Sequence, residues 1–257
     1  MKIRTPEFSS VTLYRKFQDE EESRAYMDHI FISEEVSQDD GRCLEGRVEQ
    51  TYVCITPKCM RVISYFPSRI FQFNDIRAVL ENMLYIPLGD FIVESLGIRV
   101  GVHAENMAKE YIKQIDTVCD YARKLPTYMH TSQTKRVWQM YSLLVKRPKL
   151  SFYKYGSVFN IITDDNVRKD KEEPNLTFEL VWLKSPEWLK DIPIGDLDIE
   201  TDGITKTCVH HLYDACMAIK KKGKRFPLNQ APAYIAFSYL LDEKFRQMCQ
   251  YNHNRFL

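Results

Sequence analysis

Ile98–Leu125, IRVGVHAENMAKEYIKQIDTVCDYARKL, joins a β-prone run to helix-favouring sequence within 28 residues. Ile98 to Val102 is rich in β-branched residues and predicts a short strand. Polar, helix-favouring residues follow, and Ile115-Asp116-Thr117 opens a further element, helix or strand. Strand, helix and a third element in succession imply an α/β domain.

Working outward toward the amino terminus, FNDIRAVLENML (Phe73–Leu84) has helical spacing, with Ile76, Val79, Leu80 and Met83 on one face behind an Asn74 or Asp75 cap. TYVCITPKCMRVISYF (Thr51–Phe66) gives two strand-like runs separated by Pro57-Lys58, a hairpin pattern. HIFIS (His29–Ser33) is β-prone, and SQDDGR after it has turn chemistry. The first two dozen residues are polar, and Asp19-Glu20-Glu21-Glu22 reads as a solvated helix end or a flexible lead. The folded domain is therefore expected to begin near Tyr26.

Toward the carboxy terminus, SQTKRVWQMYSLLVKRP (Ser132–Pro148) is helix-like, Thr163–Asn175 is a charged exposed loop, and LTFELVWL (Leu176–Leu183) returns to β character. SPEWLKDIP (Ser185–Pro193) reads as a capped short helix. Two longer helices are expected over Thr205–Arg225 and Pro232–Tyr251. This divides the chain into a lead (1–25), one mixed α/β domain (26–225) and a helical extension (226–257).

Composition bounds the function. Lys and Arg number 36 against 35 Asp and Glu, so a formal charge of +1 gives no global attraction to a polyanion, and any such site must be local. The seven cysteines (Cys43, Cys54, Cys59, Cys119, Cys208, Cys216, Cys249) are odd in number, spread out and without a CxxC pair. They are read as reduced thiols, with neither a disulfide framework nor a structural zinc site. No apolar run approaches the roughly 20 residues that span a bilayer. The chain is expected to be soluble and intracellular, cytoplasmic or nuclear, without a membrane partner.

Four pieces in order carry a resemblance: HIFISEE, QTYVCITPKCMRVISYF, RVGVHAENMAKEYIKQIDTVCDYARKL and CVHHLYDACMAIKKKGK. Over roughly residues 25 to 225 they resemble the DEDD superfamily of 3′ to 5′ exonucleases, in its ribonuclease D and Werner-type branch. The resemblance implies a ribonuclease H-like mixed sheet flanked by helices, here with a C-terminal helical extension. It also implies a centre in which four carboxylates hold two divalent ions about 4 Å apart, with a Tyr or His orienting the attacking water.

Carried onto this chain, the pattern is broken. Glu35 keeps the family's Glu and Asp214 its last Asp, while Ser33 and Met107 stand where the other two acids belong. His210 takes the tyrosine position, four residues before Asp214 and within reach of it. A serine hydroxyl is a weak neutral ligand and a thioether a poor one for magnesium. The resemblance therefore implies no metal cofactor, with magnesium or manganese expected only if Glu105 or Asp116 substitutes for the lost acids.

The basic run Lys220, Lys221, Lys222, Lys224 and Arg225 reads either as the cationic end of a helix or as a phosphate-contacting or import segment. Trp138, Tyr141, Phe152, Tyr153 and Tyr155 interleave with Lys135, Arg136, Lys146, Arg147 and Lys149, and the reading adopted for these aromatics is core. The broad apolar stripe of Pro232–Tyr251 offers a docking face for a protein partner.

The expectation is thus a catalytically inactive exonuclease-like domain acting as a protein and nucleic-acid binding adaptor in RNA metabolism or small-RNA pathways, its partner either a protein on the C-terminal helix or a single-stranded nucleic acid. Two alternatives stand beside it. One is an active metal-dependent exonuclease with a rewired site; the other is an unrelated soluble interaction protein, such as a viral one.

Overall fold

The computed structural model describes residues 2–30, 34–38, 43–66, 70–103, 127–131, 135–141, 156–164, 176–197 and 203–223. The chain divides into two compact units. The N-terminal unit comprises Glu7–Gly97 with Trp182–Thr205, and the second comprises Met1–Pro6, Ile98–Val181 and Lys206–Leu257.

The N-terminal unit is built on strands β2 (Glu7–Lys16), β3 (Glu34–Gln38), β4 (Cys43–Val48), β5 (Thr51–Ile55), β6 (Cys59–Tyr65) and the first half of β7 (Ile92–His103). Their order is β3-β4-β5-β6-β2-β7. Short connections dictate this meander. Glu49 and Gln50 alone join β4 to β5, with Glu49 at φ 51°, and Thr56–Lys58 joins β5 to β6. Links this short permit only antiparallel neighbours, because a parallel pair needs a crossover of a dozen or more residues.

Alternation then sorts the side chains. Leu13, Val62 and Val53 lie in one cross-strand row and are wholly buried, as are Val11, Ile55 and Met60 in the rows beside it. Helix α2 (Phe73–Leu84) lies on this inner face, burying Phe73, Ile76, Leu80 and Leu84. Phe73 meets Phe8 of β2 edge-on at 5.8 Å, and Thr51 Oγ1 reaches Met83 Sδ at 3.3 Å. The expected Asn74 or Asp75 cap is not used: Gln72 occupies the cap position without a side-chain bond. Instead the Phe73 N–H donates to Thr205 Oγ1 at 3.0 Å, a cap supplied from far along the chain.

Helix α1 (Glu20–His29) begins at Asp19, whose carboxylate accepts the Glu22 N–H at 2.9 Å. The acidic run is therefore a helix start, with Glu20, Glu21 and Glu22 in the first turn where the helix dipole favours them. Arg15 ties α1 to the sheet: its guanidinium donates to Tyr26 Oη at 2.8 Å, to Asp90 at 2.7 Å and to Glu22.

In the second unit β1 (Lys2–Ile3) runs antiparallel to the second half of β7. The remaining strands are β8 (Thr127–Thr131), β9 (Lys135–Tyr141), β10 (Ser157–Asp164) and β11 (Leu176–Trp182), in the order β7-β11-β10-β9-β8. Phe159 and Phe178 stack at 6.3 Å between β10 and β11. Helix α3 (Gly203–Gly223) buries Cys208, Val209, Leu212 and Ala215.

This architecture corrects the expected ribonuclease H-like mixed sheet. Every strand pair whose register is described, from β3 through β6 to β2 and from β8 to β10, is antiparallel. Other readings change with it. Residues 7–16, assigned from sequence to a polar lead, form a strand whose Phe8, Val11 and Leu13 are 0% exposed. Lys135–Tyr141, expected to be helical, is strand β9; Val137, Trp138 and Tyr141 suit either period, and hydrogen bonding to β8 and β10 decides. Ser185–Pro193 makes turns, with the Leu189 N–H bonded to Pro186 O at 2.8 Å, rather than a short helix. The hairpin at Pro57-Lys58, the helix over Phe73–Leu84, the strand over Leu176–Trp182 and the helix beginning near Thr205 form as read.

Candidate functional site

Of the residues singled out for a nuclease remnant, Ser33, Glu105, Met107 and Asp116 lie outside the described residues, as do Lys224, Arg225 and the helix expected over Pro232–Tyr251. Glu35 is in β3 opposite Gly46, in register with the row that continues through Val53, Val62 and Leu13. Val53, Val62 and Leu13 are buried and apolar. Glu35 belongs to the N-terminal unit, whereas His210 and Asp214 belong to the second.

The His210–Asp214 pair forms on α3 as its spacing predicts, with Nε2 3.7 Å from Oδ2 and side chains 71% and 45% exposed. A contact that long and that wet is a loose surface pair. Neighbouring His211 has its pKa pushed down, chiefly by burial, with the His210 charge adding and Asp214 opposing. Lys220, Lys221 and Lys222 fall in the last turn of α3, where cations complement the helix dipole. Among the described residues no group of three or more His, Cys, Asp or Glu side chains is arranged to hold a metal ion.

A different surface stands out, the outer face of the N-terminal sheet. Alternation that sends Val11, Leu13, Val53 and Val62 inward sends their neighbours outward. One cross-strand row reads Glu45, Cys54, Arg61, Tyr14, and the next reads Arg47, Tyr52, Ile63, Thr12. Tyr65, opposite Ser10, extends the face and is 63% exposed, while Tyr52 is 37% exposed.

Polar contacts order this face. Arg61 donates to both oxygens of Glu94, Nε at 2.7 Å and Nη2 at 2.8 Å, with its guanidinium carbon 5.6 Å from the Tyr14 ring centroid. Ser95 Oγ donates to Thr12 Oγ1 at 2.8 Å. Tyr52 Oη donates to Glu45 at 2.7 Å, and that bond, reinforced by burial, pushes the phenol pKa up to about 12. Burial, then the hydrogen bond to Glu45, pushes the Cys54 thiol up to about 11. Tyr14 is raised by burial first and by the Cys59 charge second.

This surface has a partial signal in the sequence. Tyr52, Cys54, Arg61, Ile63 and Tyr65 all occupy one parity of a recognised hairpin, but the third strand of the platform, β2, was hidden in the supposed lead.

No family model matches the chain, and no curated protein matches it. Among solved structures it is similar to a Methanococcus jannaschii TBP, with a TM-score of 0.38 and 9% identity, over 85% of this chain and 99% of that one. A likeness that faint carries no argument about fold or function. No helix among the described residues is long and apolar enough to cross a membrane.

Proposed function

We propose that the chain is a non-catalytic adaptor that binds single-stranded nucleic acid on the outer face of its N-terminal sheet. The carrying observation is the grouping of Tyr14, Tyr52 and Tyr65 with Arg47 and Arg61 on adjacent strands of one solvent-facing sheet surface. Tyr52 and Tyr65 are diagonal neighbours across β5 and β6, a separation of about 7 to 8 Å between backbones. Exposed aromatic rings on a sheet accept unpaired bases by stacking, and arginines beside them reach phosphates. The face is nearly charge-balanced, because Arg47 and Arg61 are offset by Glu45 and Glu94. Stacking rather than counterion release then supplies most of the affinity, and the salt dependence is shallow.

Fluorescence anisotropy with labelled single-stranded RNA, single-stranded DNA and duplex DNA tests this on the full chain. The expected result is binding to single strands that weakens little with added salt and is lowered by Tyr52→Ala with Tyr65→Ala. Absence of binding at about 100 µM protein, the weak end of ordinary non-specific affinity, overturns the reading. Preference for the duplex corrects the ligand. Shortening of the labelled strand in magnesium or manganese, lost in Asp214→Asn, would restore the exonuclease reading.

A further inference from the structure

We propose that Glu94 is a resident competitor for Arg61, holding the guanidinium in the geometry a ligand phosphate would take, so that the outer face restrains its own binding. This deepens the reading of that face as a nucleic-acid surface and rests on it. Arg61 engages Glu94 through Nε and Nη2 at 2.7 and 2.8 Å, the two-pronged arrangement that guanidinium also makes with phosphate. The pair bridges β6 to β7 across β2, and Tyr14 of β2 lies beneath the guanidinium. Arg61 is thereby laid along the face rather than projecting from it.

Exposure makes this pair displaceable. Its side chains are 44% and 40% exposed, so an incoming phosphate can reach Arg61 and the released Glu94 carboxylate turns to water without being stranded. Arg15 shows the opposite design. It is 18% exposed and held by Tyr26, Glu22 and Asp90 together, so its role is to fasten α1. Of these two arginines of the N-terminal unit, Arg61 is the one a ligand can take from its acid.

A double-mutant cycle read by anisotropy with single-stranded RNA tests the proposal. Glu94→Gln is expected to tighten binding about two- to fivefold, the strength of an exposed ion pair, and Arg61→Gln to weaken it. In the Arg61→Gln background, Glu94→Gln is expected to change nothing, because the competitor has lost its target. A gain from Glu94→Gln that persists without Arg61 overturns the proposal, since it would then reflect net charge alone. Equal binding by Arg61→Gln and the parent overturns it too, while leaving the functional reading intact. If neither the parent nor Glu94→Gln binds, both fall. Thermal melting of each variant confirms that the fold is retained, and the charge-preserving Arg61→Lys is expected to recover part of the affinity but not the sensitivity to Glu94.

Discussion

The two faces of the N-terminal sheet are made by the same strands, residue by residue, yet they follow different rules. Leu13 and Tyr14 are adjacent on β2, as are Val62 and Arg61 on β6, but one of each pair is wholly buried and the other meets solvent. On the inner face apolar volume decides everything, and the one hydroxyl pair there, Thr51 with Ser64, is satisfied internally at 2.8 Å. On the outer face Tyr52–Glu45, Arg61–Glu94 and Ser95–Thr12 join one strand to another, while Arg47 Nε donates to Glu49 O in the turn after its own strand at 2.6 Å. Burial there stabilises little; the grouping of rings and guanidinia is what needs a functional account.

The largest effect that can break this contrast is a pair of truncations. Leu13→Ala removes a side chain that is 0% exposed and is expected to cost about 2 to 5 kcal/mol in urea unfolding. Tyr65→Ala, 63% exposed on the other face, is expected to stay within about 0.5 kcal/mol. Comparable losses from the two would erase the distinction between faces.

The second unit supplies a sharper contrast, because a carboxamide and a carboxylate meet there at a buried position. Asn160 is 7% exposed and donates from Nδ2 to Glu179 at 2.7 Å, while its Oδ1 has no hydrogen-bond partner. Asn160→Asp sets a second carboxylate against Glu179 and is expected to destabilise by about 1 to 3 kcal/mol at neutral pH. The loss should shrink in acid as one of the two carboxyls takes up a proton. A pH-independent loss in thermal melting would show that charge is not the cause.

A smaller, chemical contrast sits on the outer face at Cys54. Its pKa rises from an ordinary 9.0 to about 11, so the folded chain favours the protonated thiol. The stability this contributes is full below pH 9.0 and is lost as pH climbs through about 11. At pH 8 iodoacetamide should alkylate Cys54 about a hundredfold more slowly in the folded chain than in urea, as mass spectrometry of the peptide can follow. Equal rates would mean that Glu45 and burial do not hold the thiol.

Much of the N-terminal unit is legible in the sequence because its signals are local. The Pro57-Lys58 turn fixes a hairpin, and Ile76, Val79, Leu80 and Met83 mark a helix face without reference to anything distant. What was not legible depends on partners far along the chain. The cap on α2 comes from Thr205, and β2 reads as polar because Ser9, Ser10 and Thr12 dilute Phe8, Val11 and Leu13 until β6 is seen beside it. Lys135–Tyr141 carries apolar residues at intervals that suit two periods, so only its cross-strand neighbours make it a strand. The motif order around Glu35, His210 and Asp214 suggested a parallel-containing sheet, but motif order does not encode strand direction.

The most direct test of the outer face is to cross-link the full chain to a photoreactive single-stranded RNA and map the adducts by mass spectrometry. Adducts on peptides carrying Tyr52, Arg61 and Tyr65 are the predicted result. Adducts confined to Lys220–Lys222 at the end of α3, or none at any RNA concentration that shifts anisotropy, would contradict it and leave the tyrosine face as a solvated surface.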